Sequence, residues 1–106
     1  HLATVQRRVG KVVELINRKE FDRRVTSGEL DTLQAIEVSE GICLVAGKAG
    51  SDESFMLQRT DKKPYLWKNE LGPSIYAKTR GCTRLVVFYR EKLSVNTILS
   101  GGLIRV

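Results

Sequence analysis

The sequence predicts an α+β domain in which an N-terminal amphipathic helix packs on a small antiparallel sheet of five to six strands or an open barrel, with a short helix near the C-terminus. Three observations carry that expectation. Leu2, Val5, Val9, Val12, Val13 and Ile16 recur at three- and four-residue steps, the spacing of one buried helical face. Beyond Arg24 the pattern changes to short apolar runs of strand length, each bounded by turn formers. A chain of 106 residues that is 42% hydrophobic can close one core without metal or disulfide staples, so residues 1–106 read as a single domain.

Taken in order, the helix covers residues 2–21, with Arg7, Lys11, Glu14 and Arg18 on its outer face and Gly10 as its weak point. Extended residues follow over 33–38, and Ile42, Cys43, Leu44 and Val45 form an apolar run that ends in the glycine-rich turn 47–50. Glycine spacing there does not match a phosphate loop, and no helix opens after it, so a hairpin is the expected connection. Further strands are expected at 54–59, 65–68, 74–79 and 84–90, separated by 61–64, Gly72-Pro73 and Gly81. Residues 92–99 are read as the short C-terminal helix, although Val95, Thr97 and Ile98 are β-branched. The expected core is Val5, Val9, Val12, Ile16, Leu44, Leu57, Leu66, Val86 and Phe88.

Net charge is +6 and the pI is about 9.6, a balance that favours anionic partners. It is unevenly spread: residues 1–24 hold seven basic and three acidic side chains, residues 25–57 one and six, and residues 58–106 ten and three. Two basic surfaces on one domain are expected, with an acidic stretch between them in sequence. No apolar run is long enough to span a bilayer and no signal-peptide pattern is visible, so the expected setting is cytoplasmic and reducing, without membrane contact. His1 in the place of methionine suggests an excised domain, a processed polyprotein piece or a tag remnant, and carries no functional weight.

Cys43 and Cys82 stand alone, and the single histidine is at position 1. No zinc site, redox pair or histidine-activated nucleophile can be assembled from them, so neither a metal nor a cofactor nor catalytic residues are expected. The segment 62–90 is the richest in binding chemistry. Lys62, Lys63, Lys68, Lys78, Arg80, Arg84 and Arg90 are interleaved there with Tyr65, Trp67, Tyr76, Phe88 and Tyr89. Cations that track phosphates and rings that stack on bases are what a sequence-tolerant single-stranded nucleic-acid binder needs. Tyr65 is expected at the rim of a strand face whose centre is a structural Trp67, with Tyr76, Lys78, Arg80 and Arg84 as the contact surface. The alternatives are a protein–protein assembly module that docks through the N-terminal helix and the glycine-rich tail, and a histidine-independent ribonuclease of the RelE-like type. That tail, with Thr97, Gly101 and Gly102, is also the expected interface of a homodimer, because small residues permit close backbone approach.

Residues 54–104 carry an order of features that resembles another family. Phe55 opens a strand, Asp61 makes a turn, and Leu66-x-Trp67 is followed by a glycine turn at Gly72. Ile75-Tyr76 then precedes Cys82, and Leu85, Val86, Val87, Phe88 and Tyr89 lead into an amphipathic end. In these features the chain is similar to the ninth non-structural protein of coronaviruses, a family of small β-barrels that bind single-stranded RNA, dimerise and serve viral replication. The family's proline pair before the cysteine is absent, its Gly-x-x-x-Gly is here Thr97-x-x-x-Gly101, and the helix predicted over 2–21 has no counterpart. The resemblance implies a barrel and an RNA-binding dimer.

Overall fold

The computed structural model describes residues 13–100. Its elements are β1 (Val13–Ile16), α1 (Arg18–Thr26), β2 (Thr32–Val38), β3 (Gly41–Gly47), β4 (Ser54–Leu57), α2 (Leu71–Thr79), β5 (Val86–Tyr89) and α3 (Val95–Leu99). They form one open sheet in the order β1-β4-β3-β2-β5. β2, β3 and β4 make an antiparallel meander, while β1 joins β4 and β5 joins β2 in parallel. The sheet is therefore mixed and open, not antiparallel and not closed into a barrel.

Each strand alternates between two cores. Leu33 and Ala35 of β2, Ile42, Leu44 and Ala46 of β3, and Phe55 and Leu57 of β4 face one side. There α1 contributes Phe21 and Val25, and α2 contributes Tyr76 and Ala77. The other side gathers Val13, Ile36, Val38, Cys43, Val45 and Met56 under Val95 and Ile98 of α3. A strand with both faces covered reads as a continuous apolar run, which accounts for Ile42-Cys43-Leu44-Val45. Leu44 and Leu57 are buried as expected, Ile16, Leu66 and Phe88 pack partly buried against the cores, and Val86 is half-buried while its neighbour Val87 packs against the first core. Val5, Val9 and Val12 lie outside the described residues.

The predicted helix over 2–21 is corrected from residue 13 onward. Val13–Ile16 is a strand, and the helix that follows starts afresh at Asn17, whose side chain accepts from Glu20 N–H at 2.9 Å. Residues 74–79, expected as a strand, belong to α2; Pro73 stands in that helix's first turn, where a missing N–H removes no helical bond. Residues 65–68 reduce to a bridge between Trp67 and Ile42, with both backbone bonds at 2.8 Å. That contact runs over Gly41, whose φ of +145° suits glycine and where a Cβ would meet the Trp67 carbonyl at 2.9 Å. The C-terminal helix is present but shorter, Val95–Leu99, opened by Ser94.

Because β1, β4, β2 and β5 run the same way, their carboxyl ends lie on one rim, together with the start of β3. α1 leaves that rim directly from β1, and α2 begins near it, just after the Trp67–Ile42 bridge. The opposite rim holds the ends of both helices and the starts of β2 and β5.

Candidate nucleic-acid interface

At the carboxyl rim, the chain leaving β4 makes a tight turn before reaching α2. Arg59 N–H donates to the Lys63 carbonyl at 2.7 Å, Lys62 N–H to the Arg59 carbonyl at 3.0 Å, and Lys63 N–H to Asp61 Oδ1 at 3.3 Å. Lys62 takes a φ of 66°, uncommon for a residue with a side chain. The turn presents Lys62 and Lys63 to solvent, and Lys68 is exposed just after Trp67. None of these lysines has a carboxylate within ion-pair distance among the described residues, whereas Arg59 pairs with Asp61 at 3.1 Å.

Tyr65 follows this turn, tied by its N–H to the Leu57 carbonyl at 3.0 Å. Its half-buried ring rests against Trp67 with centroids 4.6 Å apart, and the Arg18 guanidinium sits 5.9 Å from its centre. With Arg59 and Leu66 it lines a cavity of about 230 Å³. Trp67 is partly buried and lies so close to Gly72 that any side chain there would collide with the indole. Residues 65–68 form no strand, so the strand face on which Tyr65 was expected is absent.

Tyr76 is 4% exposed, on a helix, and its ring meets Phe21 and Trp67 edge-on. Its hydroxyl donates to Asp22 Oδ1 of α1. Arg80 donates to both oxygens of the same carboxylate, at 3.2 and 3.1 Å, with its guanidinium 3.7 Å from the Tyr76 ring centre. Burial raises the Asp22 carboxyl, but the bonds from Arg80 and Tyr76 outweigh it and hold the group below its ordinary range. Burial, then the bond to Asp22, pushes the Tyr76 phenol well above its own. The expected contact surface of Tyr76, Lys78, Arg80 and Arg84 is thus corrected: Tyr76 and Arg80 clamp α1 to α2. The Tyr76 phenol stays protonated at neutral pH and faces inward.

Lys78 is exposed in the last turn of α2, Arg84 is exposed at the rim opposite Tyr65, and Arg90 follows β5. The expected cations are therefore divided between the two rims. Thr97 lies half-buried in α3, its hydroxyl 3.2 Å from that of Ser94, while Gly101 and Gly102 lie outside the described residues. Sequence reasoning missed Arg18, Arg59 and Asp22. Arg18 was assigned to the outer face of a helix that the structure begins only after Asn17.

Among the described residues no cluster of three or more histidine, cysteine or acidic side chains could hold a metal, and no helix is long and apolar enough to cross a membrane. Burial pushes the Cys43 thiol up to about 12, and raises Cys82 as well, so neither is a thiolate at neutral pH. Comparison with protein-family models, curated proteins and solved structures finds no match.

Proposed function

We propose that this domain binds single-stranded nucleic acid with little sequence preference, through the 59–68 segment at the carboxyl rim. The observation that carries the reading is Tyr65: a partly buried ring lining a small cavity and packed against Trp67, in a segment whose Lys62, Lys63 and Lys68 have no carboxylate partner among the described residues. A ring face accepts any base, and exposed lysines near it in sequence attract phosphates. Open α/β sheets also tend to hold ligands outside the carboxyl ends of their strands. Arg18, with its guanidinium 5.9 Å from the ring centre, adds positive charge beside Tyr65.

The test is fluorescence anisotropy with a labelled single-stranded oligonucleotide. Tyr65→Ala is expected to weaken binding by roughly 5- to 150-fold, the equivalent of about 1–3 kcal/mol for one stacked base. Normal binding by a folded Tyr65→Ala variant removes the reading.

A further inference from the structure

Strand β5 is composed like a central strand and placed at an edge. Leu85 to Tyr89 are apolar without alternation, the pattern of a strand covered on both faces. Yet among the described residues β5 pairs with β2 alone, Val86, Val87 and Phe88 are only half-buried, and Tyr89 is 54% exposed. Edges of natural sheets are blunted by prolines, bulges or inward charges, and β5 carries no proline and no charged residue. The Arg90 N–H donates to the Glu37 carbonyl of β2 at 2.7 Å. By alternation Val86 and Phe88 turn their backbone groups toward β2, whereas Val87 and Tyr89 turn theirs outward. The Tyr89 hydroxyl donates to Glu70 at 2.7 Å, joining the edge to the start of α2, a helix that exposes Leu71 and Ile75.

Cations bracket the strand. Arg84 is exposed before it. Arg90 after it places its guanidinium 5.4 Å from the Phe88 ring and donates to the Tyr89 carbonyl at 3.1 Å. Neither has a carboxylate partner among the described residues. We propose that the β5 edge accepts an extended segment of a partner protein, apolar in its middle and carrying a carboxylate at each end, added as a further strand. At ~3.3 Å per residue the two arginines stand about 20 Å apart, which sets the spacing of those carboxylates. A second copy of β5 fits poorly. Laid antiparallel about a two-fold axis with Val87 opposite itself, it sets Arg84 against Arg90; with Phe88 opposite itself, it sets Arg84 against Lys92. Both registers oppose like charges.

The experiment follows amide hydrogen exchange with two synthetic peptides of about seven residues, alternating threonine and valine, one ended by glutamates and the other by lysines. The glutamate-ended peptide is expected to bind at least tenfold more tightly and to slow exchange at Val87 and Tyr89. Val87→Pro removes an outward N–H without touching the β2 ladder, and binding is expected to be lost. Arg84→Glu with Arg90→Glu, both outside the core, should reverse the preference between peptides. Equal binding of the two peptides, or no protection at Val87 and Tyr89 from either, overturns the proposal. So does a wild-type dimer in sedimentation that the arginine double variant alters, or protection of the same amides by a single-stranded oligonucleotide.

Discussion

Asp22 joins the two helices that cover one face of the sheet, and its chemistry is pH-dependent. Its folded-state pKa lies below the ordinary carboxylate value because the bonds from Arg80 and Tyr76 overcome burial. A lowered folded pKa means stability that is fully present above the unfolded value and lost as pH falls through the folded one. Glu20, on the same helix, behaves alike: hydrogen bonds from Arg23 and Arg24 hold it down to about 2. Unfolding followed from neutral pH to pH 2 is therefore expected to show stability falling once pH drops below about 4. Asp22→Asn is expected to be less stable at neutral pH by about 1–2 kcal/mol, at the low end because the pair is partly open to solvent, with a shallower acid loss that Glu20 still drives. Parallel pH curves for the two proteins contradict the assignment. None of this linkage was legible in the sequence, since Tyr76 and Arg80 stand 54 and 58 positions from Asp22.

The elements divide according to how far their signal reaches. The meander β2–β4 was readable because its runs alternate or stay apolar over lengths that only strands use, and a glycine turn separates β3 from β4. Residues 13–16 were not, because in sequence Val13 and Ile16 continue a helical spacing although they pair with β4. The decisive marks were present as Asn17 and, three residues later, Glu20, the arrangement of an N-terminal cap, masked by the apolar periodicity on its amino-terminal side. Asn17→Ala is expected to lower stability by about 1 kcal/mol by leaving Glu20 N–H without its acceptor. Denaturant melts with an unchanged midpoint assign that end of α1 to packing alone. In α2 the misreading came from Ile75-Tyr76, whose side chains favour strands, and from Gly72-Pro73, which resemble a turn. The spacing of Pro73, Tyr76 and Ala77, all buried, is helical, but nine residues give that period little room beside two turn formers.

At the scale of the whole molecule, net charge predicts an anionic partner without a location, and folding distributes the described basic side chains of 58–90 over both rims. Ion pairs then withdraw Arg59 and Arg80 from the free set, while Lys62, Lys63 and Lys68 stay unpaired among the described residues in the segment that holds Tyr65. This separation makes charge and stacking measurable apart. Each phosphate neutralised on a single strand contributes about 0.7 to the slope of log affinity against log salt, so three lysines predict a slope near −2. Lys62→Ala should weaken binding mainly at low salt and flatten the slope by about 0.7. Tyr65→Ala should lower affinity by a similar factor at every salt concentration and leave the slope alone, because stacking releases no counterions. Lys78→Ala and Arg84→Ala, on the far side of the fold, should change neither. A slope that flattens equally for substitutions at both rims places the nucleic acid around the molecule instead of at the 59–68 segment, and a flat wild-type titration removes the electrostatic argument altogether.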